Sequence, residues 1–585
     1  MMMDDSKQDH IFQQLNFLYG PALGRPTGNQ LIDILERYKL NTSRVHGPSQ
    51  DPFSERDVVL ITYGDMLQRK GEAPLETLHR FINTWLKDFV NTIHILPFYP
   101  YSSDDGFSVI DYTSVDPALG KWEHIERIKS DGFRLMFDAV INHISIHSDW
   151  FRAFQDGDPR YKDYFITVDP ETDLSRVTRP RAHPLLTPFE TARGKEHVWT
   201  TFSPDQADLN YRNPDTLLDV IKVLLTYIDR GADIIRLDAV AYLWKEIGTS
   251  CIHRPQTHAI IQLLRTLVDT VAPGVLLITE TNVPHRENIS YFGNGSNEAH
   301  LVYNFTLPPL TAHAIFTGSA EHLTQWAQGL EVPAHGDAFF NFTASHDGVG
   351  LMPLAGILSR KDVDMLVRQA QAGGGAISYK KDGNSSISPY ELNISYFDLL
   401  NGSDSSTTQE LQVERFIVSQ AIMLALAGVP GIYLHSLLGS RSYPAGVKKT
   451  GQVRTINREK LAVAAVESAL QQAGDLRSAV FQNFRKLLEL RLRERAFHPE
   501  SPQRILHLDP RIFVIERQVE DSQDKILALH NVSSESVTLS IPCSPADPTW
   551  TDLLTGKEVL HQGECLTLEM SPYQVSWLKN APGSP

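Results

Sequence analysis

Three carboxylates in this chain each follow an apolar run: Asp238 in GADIIRLDAV, Glu280 in GVLLITET and Asp347 in FFNFTASHD. Each run is typical of a short buried strand, so each acid is expected where a strand leaves the core. A buried carboxylate is costly unless it is paired or used in chemistry. Arg236 lies two residues before the first acid, and His346 lies directly before the third. Paired carboxylates with a supporting arginine are what the cleavage of a glycosidic bond requires.

Eight apolar, β-branched runs alternate with amphipathic helical patterns over about 400 residues. This alternation predicts an α/β fold, a closed (β/α)8 TIM barrel rather than an open sheet. In such a barrel the chemistry lies at the C-terminal strand ends, where the acids fall. The runs lie near Val58–Tyr63, Ile93–Phe98, Leu135–Val140, Ile234–Val240, Val275–Glu280, Leu301–Phe305, Phe339–Ala344 and Val429–Leu434.

The pattern divides the chain into three parts. Residues 1–50 are expected to form a helical N-terminal extension, and 51–496 the catalytic barrel. Two connections, at about 145–207 and 348–406, are too long for simple loops and are expected to form inserted loop subdomains that shape substrate access. From 497 to 585 short alternating strands predict a C-terminal antiparallel β-sandwich domain.

Composition excludes several classes of function. A net charge of −16 argues against nucleic acid as a partner, and no uninterrupted apolar stretch is long enough for a membrane-spanning helix. Three cysteines exclude a disulfide framework, with Cys543 and Cys565 left as a candidate pair. No zinc-binding, nucleotide-binding or pyridoxal-lysine motif occurs, and no signal-peptide pattern is seen, so a cytoplasmic protein is expected. The oligomeric state is left open.

Four strings occur in order on candidate strands: Asp138-Ala-Val-Ile-Asn142-His143, Arg236-Leu-Asp238-Ala, Glu280, and His346-Asp347. A single acid of this kind is more often a helix cap or part of a surface ion pair. Together, the strings resemble the four conserved regions of the α-amylase family of glycoside hydrolases and transglycosidases, glycoside hydrolase family 13. The resemblance covers nearly the whole chain.

This resemblance implies the catalytic roles. Asp238 would be the nucleophile that forms a β-glucosyl ester, and Glu280 the general acid and then the general base. Asp347 would bind sugar hydroxyls and favour the distorted transition state. Retention of configuration needs the nucleophile and the acid about 5–5.5 Å apart, on opposite sides of the anomeric carbon.

The residues around these acids would bind the glucosyl group. Arg236 would hold the nucleophile ionised through charge-assisted hydrogen bonds. His143 and His346 would donate hydrogen bonds to glucosyl hydroxyls. Phe107 and Tyr242 would supply apolar platforms for the sugar ring.

Further strings resemble the sucrose phosphorylase-like branch of the family. Asp104 in DDGF and Arg458 in INR would pair and close the far end of the pocket, so that it admits one terminal glucose. Arg181 and Tyr390, one in each long insertion, would bind phosphate after the first product leaves. An arginine suits phosphate because its fork can donate two parallel hydrogen bonds. Gln206 matches a further site residue.

The finest resemblance, in VTRPRAHPLLTPF, GTSCIH and ITETNVPH, is to glucosylglycerate phosphorylases. It implies reversible phosphorolysis of a small α-glucoside to α-glucose 1-phosphate, with glycerate as the acceptor and inorganic phosphate as co-substrate. Arg181 with Lys380 or Lys381 would hold the glycerate carboxylate. Asn142 matches a calcium-binding position of many amylases, but the branch implies no metal and no cofactor.

Other activities stay open at this point. Sucrose 6′-phosphate, sucrose and glucosylglycerol phosphorylases share most of these features, as do α-glucosidases and transglucosidases of the same family. A catalytically silent, amylase-like binding protein would usually have lost the nucleophile or the acid, and both are present here. Residues 382–388, rich in Gly, Ser and Asn, form the loop on which the acceptor is expected to depend.

Overall fold

The computed structural model describes residues 4–41, 51–331, 333, 335–381, 387–402, 407–519, 522, 524–542, 549–559, 561–562 and 565–580.

Eight parallel strands close into a barrel in which chain neighbours pair and the last strand pairs with the first. Val59, for example, lies opposite Thr92 on one side and Gly431 on the other. Nearly every strand residue is buried, as expected where helices cover the outer face of a parallel sheet. The predicted TIM barrel is therefore confirmed. Its strands are β1 (Val59–Thr62), β2 (Thr92–Ile95), β3 (Arg134–Ala139), β4 (Ile234–Leu237), β5 (Leu276–Thr279), β6 (Leu301–Tyr303), β7 (Ala338–Phe342) and β8 (Val429–Tyr433).

Amphipathic helices follow the strands and cover the barrel. The helix before β4 begins after Asn213, whose side chain accepts a hydrogen bond from the backbone of Asp215, and is followed by Gly231 at positive φ. The longer helices are Pro74–Trp85, Trp122–Ser130, Pro214–Asp229, Pro255–Val271, Leu307–Thr317, Glu321–Gln328, Gln409–Ala425, Val463–Gln471 and Leu476–Arg491.

The two predicted insertions carry secondary structure of their own. After β3 come the strand His143–Ser145, the helix Asp149–Gln155, a hairpin and the strand Gln206–Asp208, which pairs with the first. The hairpin strands are Leu186–Thr191 and Gly194–Trp199. After β7 come Val349–Gly350, Arg360–Ala372, Ala376–Lys381, Ile387–Asn393 and Tyr396–Asn401. The side chain of Lys381 and residues 382–386 lie outside the described residues, so the loop expected to choose the acceptor is not described in full.

The C-terminal part forms two antiparallel sheets, as predicted. A separate apolar core between them includes Ile512, Leu529, Leu539 and Trp550. Cys251 and Cys565 are free thiols, while Cys543 lies outside the described residues. The six-stranded sheet is Gln503–Asp509, Ile512–Gln518, Lys525–Asn531, Val575–Asn580, Trp550–Asp552 and Glu558–Val559, and the three-stranded sheet is Val537–Pro542, Cys565–Met570 and His561–Gln562.

The N-terminal segment Asp5–Asn41 is helical but breaks at Gly20, whose φ of 71° and ψ of 164° are not helical. It packs on the barrel helices Pro214–Asp229 and Pro255–Val271. In the described part of the chain, no helix is long and apolar enough to cross a membrane. The domain boundaries at 50 and 497 stay predictions.

Candidate active site

The three acids meet at the carboxyl end of the barrel. Asp238 follows β4 directly, Glu280 follows β5 directly, and Asp347 lies in the loop after β7. They line one pocket together with most of the other predicted site residues, although Arg236 is buried outside it, and Arg458 and Tyr242 line adjoining cavities. The predicted residues that line the pocket are Asp104, Phe107, His143, Arg181, Gln206, Asp238, Glu280, His346, Asp347 and Tyr390.

One guanidinium serves several carboxylates beneath the pocket. Nη1 of Arg236 contacts Oδ1 of Asp238 at 2.8 Å and also binds Asp138, and its Nη2 lies 3.8 Å from Oε2 of Glu280. Asp138 is fully buried and also contacts Nε2 of His94 at 2.7 Å. Because Arg236 is shared, it compensates only part of the cost of burying the Asp238 charge.

The pKa values of Asp238 and Glu280 are therefore raised. Burial raises the pKa of Asp238 to about 6, with Asp138 and Asp347 adding to the effect and Arg236 opposing it. Burial likewise raises the pKa of Glu280 to about 7, helped by Asp238. Near neutral pH this order favours an ionised Asp238 beside a protonated Glu280, the states that a nucleophile and a general acid need.

The backbone contributes to this arrangement at Ala239. Its φ of 49° is left-handed, an unfavourable conformation for a residue with a side chain. In that conformation its N–H donates to Oε2 of Glu280 at 3.0 Å. The turn after β4 thus orients the acid as well as the nucleophile.

Asp347 has the opposite electrostatic environment. Burial alone would raise its pKa, but Arg454, His346 and Arg458 outweigh burial and hold the pKa of Asp347 below its usual range. The closest contact is from Nη1 of Arg454, at 2.5 Å. Arg454 also binds the buried Glu391 at 3.0 Å. Asp347 is therefore a fixed anion that can accept hydrogen bonds from sugar hydroxyls.

The predicted ion pair between Asp104 and Arg458 is formed. Nη1 of Arg458 lies 3.1 Å from Oδ1 of Asp104 and 2.9 Å from Oδ2 of Asp105. Both aspartates have positive φ, and a Cβ on Gly106 would come within 2.4 Å of the carbonyl oxygen of Pro97. The DDG turn therefore needs its glycine to reach Arg458.

Aromatic rings and two histidines form the wall beside this pair. Phe107 stacks on His346 with ring centroids 4.8 Å apart. Nε2 of His346 lies 3.6 Å from Asp347, and its buried Nδ1 has no hydrogen-bond partner in the described residues. His143 and Gln206 both donate to the carbonyl oxygen of Phe107, at 2.9 and 3.0 Å. A bond from His143 Nε2 to a sugar would have to share or replace this one.

Arg181 and Tyr390 come from different insertions and meet at the pocket. The guanidinium lies 5.7 Å from the Tyr390 ring and 6.0 Å from the Phe202 ring. Phe202 in turn packs edge-on against Tyr242. Burial raises the pKa of Tyr390 to about 12, so its hydroxyl stays a hydrogen-bond donor. A cation and a phenol at one opening can bind an oxyanion.

Asn142, which matches a calcium-binding position of many amylases, contacts the ammonium group of a lysine of this chain. Nζ of Lys245 lies 2.7 Å from Oδ1 of Asn142 and 2.7 Å from Oδ2 of Asp208. All three residues are buried. Within the residues that the structure describes, no cluster of His, Cys, Asp and Glu could hold a metal ion.

Several residues of the site were not assigned roles from the sequence. Arg454 precedes Arg458 by four residues in QVRTINREK, and Asp105 adjoins Asp104, so both stood within motifs already recognised. His94 is the polar residue in the apolar run of β2, a signal that could have identified it. Glu391 follows Tyr390 and gave no such signal.

Comparison with known proteins agrees with this geometry. Residues 84–347 match the model of the α-amylase catalytic domain. A glucosylglycerate phosphorylase of Spirochaeta thermophila is 46% identical over 97% of this chain and 98% of its own length. One of Escherichia coli is 44% identical over 97% and 99%. The crystal structure of sucrose 6F-phosphate phosphorylase from Thermoanaerobacter thermosaccharolyticum superposes with a TM-score of 0.72, at 23% identity, covering 88% of this chain and 98% of that one. This chain belongs to the α-amylase family.

Proposed function

We propose that this protein is a retaining glycoside phosphorylase that reversibly cleaves glucosylglycerate with inorganic phosphate. The products are α-glucose 1-phosphate and glycerate. The observation that carries the proposal is the identity of 44–46%, over 97% of the chain, to relatives named glucosylglycerate phosphorylase. The pocket supports it with a nucleophile, a general acid and a cationic opening.

In the first step the Asp238 carboxylate attacks the anomeric carbon of the glucosyl group. The bond to the glycerate oxygen breaks, and Glu280 gives that oxygen its proton, so glycerate leaves as a free hydroxy acid. A β-glucosyl ester of Asp238 remains. Asp347 accepts hydrogen bonds from sugar hydroxyls, and these bonds strengthen as the ring distorts.

In the second step an oxygen of phosphate attacks the same carbon. The ester bond breaks, the Asp238 carboxylate is restored, and Glu280 accepts a proton as general base. Two inversions at one carbon give α-glucose 1-phosphate with retained configuration. Arg181 and the Tyr390 hydroxyl would bind the phosphate, which favours its attack over that of water.

The proposal needs no metal and no organic cofactor. Lys245 supplies a positive charge between Asn142, the position matched to calcium in many amylases, and Asp208. The partners are a small α-glucoside and phosphate. We place the reaction in the cytoplasm, in keeping with the free thiols of Cys251 and Cys565.

The test measures glucose 1-phosphate release from glucosylglycerate with and without phosphate. We expect release only with phosphate, and none from Asp238→Asn. In the reverse direction, glucose 1-phosphate is offered with glycerate, glycerol, fructose or fructose 6-phosphate, and we expect glycerate to be preferred. Free glucose formed equally fast without phosphate would show a hydrolase instead, and a preference for fructose 6-phosphate would show a different phosphorylase.

A further inference from the structure

A second cavity of about 540 Å³ adjoins the active-site pocket. Asn282 and Tyr390 line both spaces, so the two are adjacent. Its walls are the first insertion around 175–180, the 250–253 loop after β4 and the 282–287 segment after β5. The loops that follow the nucleophile and the acid thus build this cavity.

The position of the cavity relative to Glu280 indicates which part of the substrate it takes. The general acid protonates the leaving oxygen, so the leaving group must lie on the Glu280 side of the anomeric carbon. Asn282, two residues after Glu280, lines the cavity. Asp104 lines the active-site pocket and Arg458 a different adjoining cavity, and neither lines this one. Its place beside the segment that follows Glu280 points to the leaving-group side.

The charge of the cavity wall suits an anion. Arg176, Arg179 and Lys380 line it, against the single carboxylate of Glu287 among the described residues. Arg179 is partly buried and has no carboxylate within ion-pair distance in the described part of the chain. Burial lowers its pKa, with no described anion opposing the shift. A partly buried guanidinium without a counterion is a strong site for a ligand carboxylate.

The loop that carries Arg179 is held in place. The backbone N–H of Thr178 donates to the carbonyl of Ser250 at 2.9 Å, and Val177 packs with Cys251 in a small apolar cluster. In the 250–253 loop that Thr178 contacts, Cys251 and His253 both have positive φ. Strained, well-supported loops of this kind are common at ligand-binding sites.

An unpartnered acceptor, the side-chain oxygen of Asn282, lies between the cavity and the active-site pocket. The buried Oδ1 of Asn282 has no hydrogen-bond partner among the described residues. A Cβ on Gly350 would come 2.5 Å from this oxygen, so the glycine leaves room for it. An orphaned buried acceptor is costly unless a ligand donates to it.

We propose that this cavity is the acceptor subsite and that Arg179 selects a small hydroxy acid by pairing with its carboxylate. Asn282 accepts a hydrogen bond from a hydroxyl of the same molecule. This inference rests on the proposed function and deepens it. It assigns acceptor recognition to Arg179 and leaves Arg181, which lines the active-site pocket itself, to phosphate.

The test compares two acceptors of similar size, glycerate and uncharged glycerol, in glucosyl transfer from glucose 1-phosphate. For Arg179→Gln we expect kcat/KM with glycerate to fall roughly 10- to 100-fold, the effect of losing a hydrogen bond to a charged group. The value with glycerol should change less than about threefold. Arg179→Lys should restore part of the glycerate preference, which a purely structural role would not predict.

Arg193→Gln is the matched control, because Arg193 lies on the same insertion but pairs with Glu196. Arg193→Gln should leave kcat/KM unchanged with both glycerate and glycerol. An equal loss with glycerate and glycerol, or a raised KM for phosphate with an unchanged acceptor ratio, would overturn the inference while leaving the proposed function intact. No transfer to glycerate by the unaltered enzyme would instead overturn the proposed function.

Discussion

At the scale of single residues, burial raises the pKa values of Asp238 and Glu280, and the sharing of Arg236 limits how far this arginine can lower them. A guanidinium paired with Asp238 alone would keep that acid strongly ionised, but here Arg236 also binds Asp138. The nucleophile and the acid consequently have raised and closely spaced pKa values, while Asp347 is held ionised by Arg454 and Arg458. Three neighbouring carboxylates thus have three different roles.

For phosphorolysis, we expect kcat/KM for glucosylglycerate to have a bell-shaped pH dependence. Activity should rise through about pH 6 as Asp238 ionises, and fall through about pH 7 as Glu280 loses its proton. Because the two groups interact, the measured values belong to the pair. Glu280→Gln, assayed for its residual activity, should lose the falling limb. A profile that stays flat to pH 9 would contradict this assignment.

Arg454 gives a second residue-scale prediction. Arg454→Gln removes the 2.5 Å partner of Asp347 and leaves the buried Glu391 without its ion pair. We expect kcat to fall roughly 100-fold, comparable to losing one charge-stabilising donor. The rising limb of the pH profile should also move to higher pH, because the Asp347 anion, no longer compensated by Arg454, would raise the pKa of Asp238 further. Arg441→Gln, which alters a half-exposed ion pair with Asp398, is the control. An unmoved limb would mean that Arg454 acts only on folding.

The sequence predicted the residues that stand in recognisable strings and missed those defined only by contact. Asp104 and Arg458, 354 positions apart, were paired correctly from their motifs. Glu391 could not be assigned, because its role depends on Arg454 approaching from a different segment. Burial and sharing of Arg236, which set the pKa values, are likewise three-dimensional properties.

At the scale of elements, the barrel strands were predictable because both faces are buried, which makes each strand a continuous apolar run. The insertions were predictable only in length. The hairpin of Leu186–Thr191 and Gly194–Trp199 is half-buried or exposed, with only Val198 and Trp199 fully buried, and carries no strong apolar alternation. Its position depends on contacts of the whole insertion rather than on its own pattern.

Lys245 links two of these elements, the turn after β4 and the strand Gln206–Asp208. Lys245→Met should leave the buried Asp208 charge unpaired and lower the free energy of unfolding by about 3–5 kcal/mol. Denaturant unfolding measures this. Lys222→Met, which removes a half-exposed partner of Asp219, should cost at most about 1 kcal/mol. Equal, small effects of both substitutions would contradict the structural role given to Lys245.

At the scale of the whole molecule, the N-terminal segment supports the barrel from outside. Its helicity was predictable, but its packing was not, because the break at Gly20 lets the second half fold back along the first, with Gly24 against Asn16 and Gly28 against Phe12. Gln14 contacts Gln262 at 2.8 Å, and Tyr19 donates to the carbonyl of Tyr211. Gln262 lies on an outer helix and Tyr211 just before the helix Pro214–Asp229, and neither lines the active-site pocket.

We therefore expect this segment to affect stability rather than catalysis. Leu35→Ala removes a fully buried side chain and should lower the free energy of unfolding by about 2–5 kcal/mol, with KM unchanged. Phe17→Ala, at a side chain that is 55% exposed, is the matched control and should change little. A raised KM without a loss of stability would show that the segment acts on the site.

The central claim is that phosphate replaces the acceptor on a glucosyl ester of Asp238. Exchange of labelled inorganic phosphate into glucose 1-phosphate, with no glycerate present, tests it most directly. A double displacement predicts rapid exchange by the unaltered enzyme and none by Asp238→Asn, because the ester forms and is re-attacked without an acceptor. Exchange that appears only when glycerate is added, or none at all, would contradict the account.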